Sequence, residues 1–122
     1  MPNEALKTFA ALTNKVPSNE NIQHIAQALF EKMNVHSLLI HPVDRAIVVS
    51  SKGLTEKVGR VVTHPAILTG GGDNLNAGFC FGLLNNFSDG DCALLGMAAS
   101  GAYVQNGTSP TVPALIDYLK TL

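Results

Sequence analysis

The sequence has no tryptophan, only two cysteines and few charged residues. Charged residues make up 14% of the 122 residues and the formal net charge is −1, so the chain has no basic field for a phosphate backbone. We therefore expect no nucleic-acid partner. The two cysteines, Cys80 and Cys92, lie in apolar segments with helical character. This position favours buried free thiols over a disulfide, as in a reducing compartment.

Targeting and metal-binding signals are also missing. The first residues, MPNEALKTF, lack the charged start and long apolar run of a signal peptide, and no apolar run is long enough to span a membrane. The four histidines and two cysteines have no metal-ligand spacing, so we expect no protein-bound metal site. These absences predict a cytoplasmic protein without membrane contact. A hydrophobic content of 46% is sufficient for the core of one globular domain.

Apolar periodicity predicts helices at both ends of the chain and strands between them. Asn3 can cap a first helix over about residues 4–12, and Ser18 or Asn19 can cap a second helix that reaches Met33. Short apolar or β-branched runs then predict three strands, over Val35–Pro42, Arg45–Ser51 and Lys57–Thr63.

Three more helices follow the strands, and the second of them is crowded with small residues that favour tight helix packing. Because helices flank the run of strands, the pattern predicts a layered α/β domain. The three helices are predicted from the glycines to about Asn85–Asn86, from a cap at Asp89 or Asp91 to about Gln105, and over Val112–Leu122 with Pro113 in its first turn.

The segment TGGGDNLNAGF, Thr69–Phe79, places three glycines directly before an aspartate and a helix. It is no dinucleotide fingerprint, because Leu75 occupies the third glycine position, and it lacks the lysine of a P-loop. Gly70–Gly72 can turn their N–H groups toward one point at the helix start, where an anion is favoured. Asp73 beside that point could accept a proton from a hydroxyl. The alternative is that Asp73 is only an N-cap after a flexible turn.

The same segment resembles the second signature of the ribokinase-like (PfkB) carbohydrate kinases, roughly D-T-x-G-A-G-D-x-x-x-A-G-F. Downstream, the alanine-rich helix and the closing helix are similar to those of the family, and MPNEAL resembles its N-E-x-E motif. The resemblance covers the whole chain but only the C-terminal portion of such an enzyme. The matching signature positions are Gly70, Gly72, Asp73, Ala77, Gly78 and Phe79.

The resemblance implies a layered α/β/α fold, the C-terminal half of a ribokinase-like fold. Residues 1–122 would form a single nucleotide-binding and catalytic domain that lacks the N-terminal substrate and lid part. The implied reaction transfers the γ-phosphoryl group of ATP, with Mg²⁺, to a carbohydrate hydroxyl. The implied roles are a general base for Asp73, an anion hole for Gly70, Gly71 and Gly72, and nucleotide contacts for Asn3, Arg45, Met97 and Gly101.

Several positions depart from the family pattern. Leu6 replaces the second glutamate of N-E-x-E, and the loop His41–Ala46 keeps neither the threonine nor the glycines of the family's nucleotide loop. Ile67 stands where the family has an aspartate that helps to hold a monovalent cation, which makes that cation doubtful here. The alternative to a kinase is therefore a noncatalytic α/β module, a fragment or degenerate relative that binds a partner or itself.

The resemblance also predicts how the isolated chain behaves. The sugar would bind through the missing N-terminal part, so we expect the isolated 122 residues to be inactive. Half of an α/β sheet exposes a strand edge and apolar faces that the missing part would cover. We therefore expect a homo-oligomer.

Overall fold

The computed structural model describes residues 22–122, so the predicted first helix and the predicted caps at Asn3, Ser18 and Asn19 lie outside the described residues. The chain divides into two compact units, Met1–Glu56 and Lys57–Leu122, and a single domain over residues 1–122 stays a prediction. The elements are α1 (Ile22–Lys32), β1 (Ser37–Ile40), β2 (Arg45–Ser50), β3 (Gly53–Val58), α2 (Gly71–Leu84), α3 (Asp89–Asn106) and α4 (Val112–Leu119).

In the first unit, α1 packs on a three-stranded sheet of order β1-β2-β3. β1 and β2 form an antiparallel pair, in which Ser37 lies opposite Ser50 and Ile40 opposite Ile47. The helical spacing of the apolar residues in α1 places them on one face, which covers the sheet. The buried residues of this core are Ile25, Ala26, Leu29, Ile40, Ile47 and Val49.

The third strand lies earlier in the chain than the sequence pattern predicts. β3 covers Gly53–Val58, whereas the β-branched residues favoured Lys57–Thr63. A tight turn at residues 51–52 ends β2, and Gly53 follows with a φ of 109°, which only glycine adopts readily. The chain therefore returns along β2 at once, and the turn fixes where β3 begins. Residues 59–63 contain no strand.

In the second unit, α2 and α3 pack closely because small residues face each other. A Cβ atom built on Gly78 would lie 2.7 Å from the carbonyl oxygen of Leu95. One built on Gly96 would lie 2.9 Å from the carbonyl oxygen of Leu75. Neither position has room for a side chain, so the interpretation of these small residues as helix-packing residues is confirmed.

The structure corrects the predicted N-cap of α3 and the predicted end of α4. The N-cap of α3 is Ser88, whose hydroxyl accepts a hydrogen bond from the N–H of Asp91 at 3.1 Å. The predicted cap at Asp89 or Asp91 is therefore wrong. Both residues lie in the first turn of α3, where a carboxylate complements the helix dipole. α4 is capped by Thr111 and ends at Leu119, three residues before the predicted end.

The segment before α2 is tied to the two later helices of the second unit. The guanidinium of Arg60 lies 4.7 Å from the centre of the Tyr118 ring in α4, and its Nη2 donates to Gln105 Oε1 in α3 at 2.6 Å. The N–H of Ala66 donates to the carbonyl oxygen of Val104 at 2.8 Å. These contacts hold the chain that leads into the glycines against the helices.

The two thiols lie in helices, as predicted, but they differ in exposure. Cys92 is buried, whereas Cys80 is exposed, so the prediction of two buried thiols is wrong for Cys80. The reason is position on α2: Gly78, Phe79 and Gly82 face α3, and Cys80 points away from that interface. Across residues 22–122, no helix combines the length and apolarity that a membrane span requires.

Candidate active site

The three glycines form a turn that leads directly into α2. Gly70 has a φ of 96°, in the left-handed region, and precedes the first helical residue, Gly71. The N–H of Gly71 donates to the carbonyl oxygen of Leu68 at 3.3 Å, and the N–H of Asn74 donates to that of Gly70 at 3.1 Å. We call residues 69–72 the glycine turn.

Two backbone donors at the start of α2 have no acceptor among the described residues. They are the N–H groups of Gly72 and Asp73, and α2 has no side-chain cap. A Cβ atom built on Gly72 would meet nothing within 4 Å, so the space beside this residue is open. Unpaired amides and the positive end of the helix dipole favour an anion at such a position.

Asp73 is exposed in the first turn of α2. Within residues 22–122 its carboxylate makes no hydrogen bond or ion pair. The N-cap position belongs to Gly70, so the alternative that Asp73 caps the helix is wrong. The carboxylate is therefore available to a group that approaches the start of α2.

Two side chains that the sequence analysis did not single out support the glycine turn. The hydroxyl of Tyr103 in α3 donates to the carbonyl oxygen of Thr69 at 2.7 Å. The Nδ2 of Asn74 donates to the carbonyl oxygen of Gly70 at 3.0 Å. Asn74 is four residues from Gly70, a spacing that could have indicated the contact. Tyr103 is 34 residues from Thr69, and only the packing of α3 against α2 brings it to the turn.

Two of the predicted nucleotide contacts lie in the helix packing of the second unit. Met97 is buried in α3, with 6% of its surface exposed. A Cβ atom on Gly101 would overlap the hydroxyl of Tyr118, so Gly101 provides the room for α4. Nucleotide binding by these residues stays a prediction, and Asn3 lies outside the described residues.

Comparison with protein-family models shows the family to which this chain belongs. The family model of the prokaryotic ketohexokinases matches residues 3–121. The chain belongs to the prokaryotic ketohexokinase family. The resemblance to PfkB carbohydrate kinases that the glycine segment carries is thereby confirmed. Comparison with curated proteins finds no match.

Solved structures confirm the fold class of this ketohexokinase-family chain. A phosphofructokinase-2 mutant from Escherichia coli matches 94% of the chain with a TM-score of 0.78 and 19% identity. Phosphofructokinase-2 from the same organism, in complex with substrates and products, matches 96% with a TM-score of 0.79 and 21% identity. The match covers 38% and 39% of those proteins, so the chain spans about two fifths of their length.

Arg45, in the first unit, is already paired with carboxylates. Its Nε and Nη2 donate to the two oxygens of Asp44 at 3.0 and 2.9 Å, and its Nη1 donates to Glu56 at 2.9 Å. The hydrogen bond from Arg45 lowers the pKa of the Asp44 carboxyl below its ordinary value. A nucleotide phosphate would compete with these carboxylates, and nucleotide binding by Arg45 stays a prediction.

The side chains of the described residues offer few ligands to the expected cations, Mg²⁺ and a monovalent cation. Across residues 22–122, no three His, Cys, Asp or Glu side chains come together as metal ligands. Magnesium usually keeps several waters and binds substrate phosphates, and its binding together with ATP stays a prediction. The side chain of Ile67 offers no oxygen to a monovalent cation.

Proposed function

We propose that this chain supplies the catalytic centre of a sugar kinase that transfers the γ-phosphoryl group of ATP to a carbohydrate hydroxyl. Membership of the ketohexokinase family supports the class of reaction. The observation that carries the proposal is the start of α2. Within residues 22–122, the carboxylate of Asp73 has no partner there and follows an open glycine turn with two unpaired N–H groups.

The amides would stabilise the transferring group. Phosphoryl transfer spreads negative charge over the three equatorial oxygens, so preorganised donors provide most of the catalysis. The N–H groups of Gly72 and Asp73, together with the dipole of α2, would act as the anion hole. Magnesium bound to the nucleotide would neutralise charge on the β- and γ-phosphates.

Asp73 would act as the general base. As the sugar oxygen forms its bond to the γ-phosphorus, the bond from that phosphorus to the bridging oxygen of ADP breaks. The hydroxyl proton passes to the Asp73 carboxylate, which no side chain of the described residues engages. Positioned general bases contribute about 10²–10⁴-fold to such steps.

The acceptor site would come from elsewhere in the enzyme. The chain spans about two fifths of the length of the phosphofructokinase-2 structures. We therefore propose that groups outside these 122 residues bind the sugar. Homo-oligomerisation of the chain stays a prediction, which sedimentation velocity would test.

Isothermal titration calorimetry with ATP and Mg²⁺ tests the nucleotide part of this proposal. We expect the Asp73→Asn variant to bind, since the carboxylate acts on the acceptor. We expect Gly72→Val to lose binding, because its side chain fills the open space beside the amides without meeting protein. Asp117→Asn, which removes another exposed carboxylate, is the matched control and should bind like the unmodified chain.

The outcomes separate the two candidate functions. Equal binding by Gly72→Val and by the unmodified chain would contradict the anion hole. No binding by a demonstrably folded chain would favour the noncatalytic α/β module. In an enzyme that includes the sugar-binding part, Asp73→Asn should lower the rate of phosphoryl transfer by about 10²-fold or more without comparable loss of nucleotide binding.

A further inference from the structure

The glycine turn is held from one side by a phenol. The hydroxyl of Tyr103 donates to the carbonyl oxygen of Thr69 at 2.7 Å. We propose, on the basis of the function proposed above, that Tyr103 is a positioning residue that fixes the glycine turn, and that the turn consequently needs no monovalent cation.

The first argument is geometric. A Cβ atom on Gly70 would lie 2.7 Å from the Tyr103 hydroxyl, so the phenol is in close contact with the backbone at Gly70 as well as bonded to Thr69. Gly70 is the left-handed residue whose conformation sets the direction in which α2 starts. By fixing this residue and the one before it, Tyr103 sets where the free amides of Gly72 and Asp73 point.

The second argument concerns the rigidity of the support. Tyr103 is carried by α3, whose backbone lies in close contact with that of α2 at Gly78 and Gly96. Asn74 completes the support from within α2 through its bond to the Gly70 carbonyl at 3.0 Å. The carbonyl oxygens of residues 69 and 70 thus both accept side-chain hydrogen bonds. A turn held in this way is preorganised before an anion arrives.

The third argument is the donor set for a cation. Hard cations bind through several oxygen ligands, and carboxylates are prominent among them. Ile67 has an apolar side chain where the resemblance to the PfkB kinases implies an aspartate that helps to hold a monovalent cation. The nearby Thr69 carbonyl already accepts a hydrogen bond from Tyr103. Position 67 therefore supplies no carboxylate to hold a monovalent cation, and the Tyr103 hydroxyl supports the turn instead.

Nucleotide binding in different salts tests the proposal. ATP-Mg affinity would be measured by calorimetry in potassium, sodium and tetramethylammonium chloride at equal ionic strength. We expect the unmodified chain to bind equally in all three salts. Tyr103→Phe should raise Kd by about fivefold, the effect of one lost hydrogen bond. The matched control is Tyr118→Phe, which removes a buried hydroxyl without a hydrogen-bond partner in the described residues and should leave Kd unchanged.

Amide hydrogen exchange gives a readout that does not depend on ATP. The N–H groups of Gly71 and Asn74 donate to the carbonyl oxygens of Leu68 and Gly70, across the glycine turn. We expect Tyr103→Phe to speed the exchange of these two N–H groups while Tyr118→Phe does not. Circular dichroism would establish that both variants are folded. If no variant binds ATP, the proposed function fails, while the exchange rates still decide the role of Tyr103.

Three results would overturn the inference. Exchange at Gly71 and Asn74 that is the same in the Tyr103→Phe and Tyr118→Phe variants would show that the phenol does not hold the turn. Equal ATP affinity of these two variants would contradict its role in positioning the amides. Tighter ATP binding by the unmodified chain in potassium than in tetramethylammonium would contradict the independence from a monovalent cation.

Discussion

Replacing glycine by alanine should lower the stability of the chain at Gly78 of α2 but not at Gly72. A Cβ atom on Gly78 would lie 2.7 Å from the Leu95 carbonyl oxygen and 2.9 Å from the Gly96 Cα. Ordinary contacts begin at 3.4 Å, so Gly78→Ala must push α2 and α3 apart by about 0.7 Å. A Cβ atom on Gly72 meets nothing within 4 Å, so Gly72→Ala requires no movement.

The expected magnitudes follow from helix propensity and overpacking. Replacing glycine by alanine within a helix stabilises it by roughly 0.5–1 kcal/mol, whereas overpacking a close interface costs about 1–3 kcal/mol. Because backbone atoms oppose the new methyl group, we expect the upper part of that range for Gly78→Ala. The net loss is then about 2 kcal/mol, or roughly 10 °C in Tm for a chain of this size. Gly72→Ala should leave Tm unchanged or raise it by a few degrees.

Thermal unfolding followed by far-ultraviolet circular dichroism measures both variants against the unmodified chain. A Gly78→Ala variant as stable as the unmodified chain would refute the argument that α2 and α3 are in backbone contact. A Gly72→Ala variant less stable than Gly78→Ala would refute the assignment of open space beside the glycine turn. If Gly72→Ala is stable yet binds ATP-Mg more weakly, the role of this glycine lies in the ligand space rather than in folding.

Three further predictions concern residues outside the glycine turn. Gly101→Ala should lower Tm in thermal unfolding, because its methyl group would overlap both the hydroxyl oxygen and the ring carbon Cζ of Tyr118; an unchanged Tm would contradict this overlap. With a thiol reagent in native buffer, Cys80 should react at once and Cys92 only on unfolding; equal rates would contradict their different exposure. Burial lowers the pKa of His41, so the unfolded chain takes up a proton first as the pH falls below about 6.5, and stability should decline there. Denaturant unfolding from pH 7 to 5 should therefore show a smaller decline in the His41→Gln variant; an unchanged decline would contradict this assignment.

The sequence pattern predicted the elements better than their limits. Apolar spacing located α1 and α2, because a buried helical face must repeat about every 3.6 residues. It misplaced the third strand, because β-branched residues after Val58 suited a strand as well as those before it. The two-residue turn before Gly53 determines where β3 begins. That turn depends on the pairing of β2 with β3.

Cap positions and exposure show the same limit. Ser88, Asp89 and Asp91 are all residue types that can cap a helix. Ser88 is the cap because its backbone is extended and its hydroxyl accepts a hydrogen bond from the N–H of Asp91. The exposure of Cys80 depends on which side of α2 faces α3, and a helix rich in apolar and small residues shows little preference in its sequence.

By itself the sequence determined the family, the order of helices and strands, and the place of the glycine turn before Asp73. These properties depend on neighbouring residues and on a short motif, which can be read along the chain. Only the tertiary structure decided that the N–H groups of Gly72 and Asp73 have no acceptor within residues 22–122, that Asp73 is exposed, and that Tyr103 reaches Thr69. The contact from Tyr103 to Thr69 depends on the packing of α3 against α2, which brings together residues 34 positions apart.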